Sequence, residues 1–209
     1  MNNNYHYIIA GLPHLMIENE NKGINYDDFR KSIAESCSID DLKMIEWLEF
    51  GFKSQNLNSH FYKAVLKQKN NFIKEYFKLD LLIRNSIVIY RNSTINPKGK
   101  AQSKDQLLKY QVLPQLIDIN TLPSTISKEL STIFSTQDIL KKEQLLDRFK
   151  WDRINEFTNY GEFTLDTILS FLAKVQLIDR WNKLDKALGE KLFKQLVEEV
   201  KGSYRSENN

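Results

Sequence analysis

A chain of 209 residues is long enough for one sizeable core or two small ones, and 41% hydrophobic with 27% charged residues excludes wholesale disorder. The formal charge of +3 is too mild to imply a nucleic-acid partner by itself. Cys37 is the single cysteine, which excludes an intrachain disulfide and a multi-cysteine zinc site and suits a reducing cytoplasm.

Seven Gly and four Pro are few, favouring long helices over a turn-rich β sandwich. In chain order, Tyr5–Ala10 reads as either a brief strand or a helical turn, closed by Gly11-Leu12-Pro13. Residues 14–25 read as a loop. Asn25 can cap a helix over 26–37 with Phe29 and Ile33 on one face. Ser38 followed by Asp41 is a capping pattern for a second helix, with Leu42, Ile45, Leu48 and Phe52 at helical spacing.

From 59 to 91 there is no Gly and no Pro, so the sequence allows one helix of about 33 residues, near 50 Å long. Phe61, Val65, Phe72, Tyr76, Leu79, Ile83, Ile87 and Tyr90 fall in a sector of roughly 80°. Lys63, Lys67, Lys74 and Lys78 fall on the opposite side, as a cationic rail. Residues 92–123, with Asn96-Pro97, Lys98-Gly99, Pro114 and Pro123, read as a loop-rich segment with a short helix near 104–112.

Ser135 or Thr136 can cap a long helix to about residue 160, carrying Ile139, Leu146, Phe149, Ile154 and Phe157. After Gly161, Thr164 with Asp166 and Thr167 opens 165–181, which is apolar nearly all round, as a helix buried between neighbours is. A last amphipathic stretch carries Leu188, Leu192, Leu196 and Val200 up to Gly202, and 203–209 reads as a frayed tail. The expectation is one all-α domain over 1–209. Its long antiparallel helices pack in a bundle-like, elongated array, with Tyr5–Ala10 open as a short strand.

The search for chemistry returns little. No apolar run approaches a span of about 18 residues, and Met1-Asn2-Asn3-Asn4 lacks signal-peptide character, so neither membrane insertion nor export is expected. The glycines are scattered singly, and His6, His14 and His60 are not at helical metal-pair spacing. A Cys37–His60 pair has no tight glycine turn to support it. Asp27-Asp28, Asp40-Asp41 and Glu198-Glu199 are adjacent and diverge on a helix.

No enzyme activity, cofactor or metal ligand is therefore expected. Lys63, Lys67, Lys74 and Lys78 are the candidate contacts to an acidic protein surface. The aromatics lie on the opposite face, away from the lysines, which argues against nucleic acid. Asp80 and Arg84 form an i, i+4 pair, and Lys174, flanked by Phe171, Ile178 and Trp181, either snorkels to solvent or meets a carboxylate from another element, the expectation being a buried pair that specifies helix register.

Certain segments carry a family resemblance. Tyr5-His6-Tyr7-Ile8-Ile9-Ala10-Gly11-Leu12-Pro13, Lys150-Trp151, Phe163-Thr164-Leu165 and the run from Phe171 to Trp181 resemble an uncharacterised bacterial family encoded beside V/A-type ATPase subunits. The stretch from Asn71 to Asn85 is similar to that family's middle helix. More distantly, the C-terminal block resembles the repeated helix of the C/d component of the V-type ATPase central stalk. Leu172 and Lys174 match there, while Val175 and Gln176 stand at acidic positions.

The resemblance implies a helical, non-catalytic adaptor that couples the soluble sector to the membrane rotor in ion transport. It would touch the rotor shaft and the membrane ring, bind no nucleotide, and lie at the cytoplasmic face of the membrane through its partners. The alternative is a stand-alone helical protein-interaction module, or a weak nucleic-acid binder, unrelated to the ATPase.

Overall fold

The computed structural model of the protein describes residues 5–17, 23–95, 123–158 and 161–184. Among the described residues there are eight α-helices, one 3-10 turn at Ser54–Asn56 and no strand. The helices are α1 (Tyr5–Ala10), α2 (Tyr26–Ala34), α3 (Ile39–Phe52), α4 (Ser59–Val65), α5 (Asn71–Ile95), α6 (Ser124–Ser135), α7 (Ile139–Phe157) and α8 (Leu165–Asn182). Tyr5–Ala10 is thus helical. The N–H groups of Gly11 and Leu12 donate back to the carbonyls of Ile8 and Ile9 at 3.1 Å each and close the turn.

Local side-chain chemistry sets the helix starts. The Asn25 side chain accepts from the Asp27 N–H at 2.8 Å, with Asp27 and Asp28 favouring the helix dipole. Ser38 and Asp41 form a reciprocal capping box at 3.1 and 3.2 Å. The phenol of Tyr5 donates to the second Asp41 oxygen at 2.8 Å, so this carboxylate is buried yet fully bonded and ties α1 to α3. Thr164 caps α8 through the Thr167 N–H, as its position after Gly161 suggests.

Three expectations need correction. The stretch 59–91 is two helices: α4 stops at Val65, and α5 starts where Asn70 accepts from the Ile73 N–H at 2.8 Å. In one continuous helix Tyr62 and Asp80, 18 positions apart, would lie about 27 Å from each other. Instead the Tyr62 phenol donates to Asp80 at 2.5 Å and the Phe61 and Phe77 rings meet edge-on at 4.9 Å, so the chain folds back.

Second, Asp138 caps α7 through the Lys141 N–H at 3.1 Å, while Thr136 ends the preceding helix. That preceding helix, α6, was not expected from the sequence; it buries Leu130, Ile133 and Phe134. Third, α5 continues to Ile95, into the segment expected to be a loop. The expected helices near 104–112 and 188–200, the remainder of the loop-rich segment (96–122) and the tail 203–209 lie outside the described residues.

Helix α8 is the hub. It packs against α1, α2, α3, α5 and α7, and Ile168, Leu169, Leu172, Ala173 and Val175 are wholly buried. A second apolar cluster joins Ile83 of α5, Leu130, Ile133 and Phe134 of α6, and Leu146 and Phe149 of α7. Helices α5 and α7 run through both clusters, so the two cores share their longest elements. Helix α3 approaches α5 at Gly51, where a Cβ would run into the Phe77 ring and lie 2.9 Å from Phe61.

Candidate functional site

The expected contact residues are dispersed. Lys63 and Lys67 lie on α4 and the turn after it, Lys74 and Lys78 on α5, and the fold-back between the helices breaks the single rail. Lys63, Lys67 and Lys78 are exposed, Lys74 is half-buried, and Lys78 reaches Glu75 at 3.5 Å. Asp80 and Arg84 pair at 2.7 Å as their spacing suggests, with the Tyr62 phenol completing the cluster. Burial, then the Asp80 carboxylate, pushes the Tyr62 phenol far above its ordinary value.

His6, His14 and His60 are all exposed. His6 stacks on Phe163 with centroids 4.0 Å apart, and only His14 of the three lines the main cleft. The two N-terminal histidines do not converge. Burial pushes the Cys37 thiol up to about 11, the reverse of what an activated nucleophile needs.

A cleft of about 630 Å³ lies between α7, α8 and the segment 12–17. Arg148, Trp151, Asp152 and Asn155 share one face of α7, at i, i+3, i+4 and i+7. Thr167, Ser170, Phe171 and Lys174 share one face of α8 with the same spacing. Leu12, Leu15, Met16 and Ile17 form an apolar third side, with His14 beside them.

Lys174 stands on the α8 wall of this cleft. In place of the expected carboxylate, its ammonium lies over the Trp151 ring at 5.4 Å, and no carboxylate among the described residues comes within ion-pair distance. Burial lowers its pKa from the ordinary lysine value. Asp152 faces the cleft but is exposed and makes no ion pair with it. The lining thus sets the half-buried ammonium of Lys174 beside an apolar bed. This is chemistry for holding an anionic group against an apolar bed.

Sequence spacing alone did not reveal the cleft, because its two walls come from different helices. The available signals were the matching i, i+3, i+4, i+7 sets on 148–155 and 167–174 and the lysine embedded in the second.

Helices α7 and α8 are clamped at the far end of the same interface. Asp147, 1% exposed, accepts from the Arg180 guanidinium and from the Trp181 indole N–H at 2.7 Å. Its other oxygen lies 4.0 Å from the Lys150 ammonium. The wall that carries Lys174 is therefore held in register by a buried carboxylate five residues before the cleft-lining Asp152.

Among the described residues no helix is long and apolar enough to cross a membrane. No curated protein and no solved structure matches the chain. A family model described as a protein of unknown function, DUF2764, matches residues 53–203, which takes in α4 to α8 and so both walls of the cleft. The chain belongs to that family.

Proposed function

We propose that the protein is a non-catalytic, C/d-like adaptor of a V/A-type ATPase, joining the soluble sector to the membrane rotor in ion transport. The observation that carries the reading is the coincidence of resemblance and packing. The block 163–181, where the resemblance to that family is most specific, folds largely as α8, the helix on which five others pack. A coupling element has to transmit force through stiff parts, and a helix clamped on several sides is stiff.

Exposed apolar residues add support. Ile139 and Leu140 stand side by side at the first turn of α7, 77% and 57% exposed, where a partner surface would cover them. On this reading the chain works at the cytoplasmic face of the membrane through the rotor shaft and ring, with no nucleotide of its own. Lys63, Lys67, Lys74 and Lys78 serve as dispersed contacts to acidic protein.

Copurification tests the proposal. A tagged chain expressed with the ATPase should retain the shaft and ring proteins through washing. Retention of no ATPase component would overturn the proposal and favour a stand-alone interaction module. A salt-sensitive gel shift of labelled RNA, abolished by neutralising the four lysines, would instead favour the nucleic-acid reading.

A further inference from the structure

We infer that the cleft between α7, α8 and segment 12–17 receives an acidic side chain of a partner protein, with Lys174 as its cationic counterpart. The identity of the partner, an ATPase component, rests on the function proposed above; the chemistry of the cleft does not.

Lys174 is a half-buried cation that the described part of its own chain leaves without a carboxylate. The Trp151 face at 5.4 Å offsets part of the lost hydration but supplies no full negative charge. A buried cation without a counter-ion weakens the fold, and such a group is what an arriving anion satisfies. The other titratable groups facing the cleft are Arg148, His14 and Asp152, and Asp152 makes no ion pair with Lys174.

The rest of the lining selects a protein over a free ion. Ile9, Leu12, Leu15 and Ile17 make one side of the cleft apolar, Phe171 adds to it from the α8 wall, and Met16 at its edge is 50% exposed. A small hydrated anion would leave that surface wet. An acidic residue flanked by apolar ones covers it and meets Lys174 together, and about 630 Å³ accommodates such a segment. The carboxylate gains most in this half-dry site, where a charge pair is less screened than at the surface.

Two arms test this with the full-length chain. In the first, wild type, Lys174→Gln, Lys174→Arg and, as a remote control, Lys128→Gln at an exposed position of α6 are compared for binding to the isolated ATPase rotor subcomplex. Lys174→Gln should weaken binding at least tenfold while melting close to wild type, because it removes a half-buried charge that no described carboxylate pairs. Lys174→Arg should restore most of the affinity, and Lys128→Gln should stay within a factor of two or three. Equal binding by wild type and Lys174→Gln overturns the inference and leaves the adaptor reading standing.

In the second arm, the blocked peptides Leu-Glu-Leu and Leu-Gln-Leu are titrated while the Trp151 indole resonance is followed. A saturable shift with the Glu peptide only, lost in Lys174→Gln, supports the inference even if no rotor protein binds, a result that would remove the ATPase reading alone. The same response to both peptides, or to neither, overturns it.

Discussion

At Gly51 two helices come together because one residue has no side chain. A methyl group there would enter the Phe77 ring, and Phe77 is itself held edge-on by Phe61 and Tyr76. Gly51→Ala should therefore lower the urea midpoint although alanine is the better helix former. Overpacking costs about 1–3 kcal/mol, against about 1 kcal/mol gained in propensity. Pairing it with Phe77→Leu should recover part of the loss, and a double-mutant cycle would measure that coupling.

The buried phenols make a second prediction at this scale. Tyr62 and Tyr26 donate to Asp80 and Glu49 at 2.5 and 3.2 Å, and burial first, then those carboxylates, raise both phenols above the ordinary value of 10.0. The native state then holds these protons where the unfolded chain releases them. Their contribution is complete below pH 10 and is lost as the pH rises beyond it. Denaturant titrations should show stability falling above pH 10, less steeply in Tyr62→Phe. That variant should cost about 1 kcal/mol at neutral pH through the lost hydrogen bond. These phenol contacts were not legible in the sequence, because each joins residues about 20 positions apart across two helices.

At the scale of elements, the starts of α2, α3 and α8 were legible because an Asn, a Ser–Asp box and a Thr each act within three residues. The break between α4 and α5 was not. Leu66, Lys67, Gln68 and Lys69 are tolerable helix formers, and only Asn70-Asn71 hints at a new start. What decides is tertiary: Asn70 caps α5 and also donates to Asp166 of α8 at 2.6 Å. Asn70→Ala should cost about 1–2 kcal/mol in chemical denaturation, whereas Asp138→Ala, which removes only a cap, should cost about 1 kcal/mol. The start of helix α6 carries no local signal, because Pro123 before it offers no side-chain cap, although Ile126, Leu130 and Ile133 or Phe134 have helical spacing.

For the whole molecule, periodicity was enough to show an all-α fold with 165–181 at its centre, but the expected stripe over 59–91 is only in part the core. Phe61, Val65, Phe72 and Ile83 are buried, Tyr76, Leu79, Ile87 and Tyr90 are half-buried, and Ile73, Phe77 and Leu81, outside the stripe, are buried as well. The cleft was not legible, since sequence spacing orders residues along a helix and not across two. Its walls depend on the Asp147 clamp. Asp147→Ala should destabilise the chain by about 2 kcal/mol in denaturant, below the ~3–5 kcal/mol of a fully buried pair because Arg180 is 42% exposed. It should also broaden the Trp181 indole resonance.

The central claim, that these helices form a docking adaptor of a rotary ATPase, is tested most directly by size-exclusion chromatography of the purified full-length chain mixed with detergent-solubilised rotor. The account predicts co-elution at a fixed stoichiometry, weakened in Lys174→Gln; elution of the chain alone, at its free position, would contradict it.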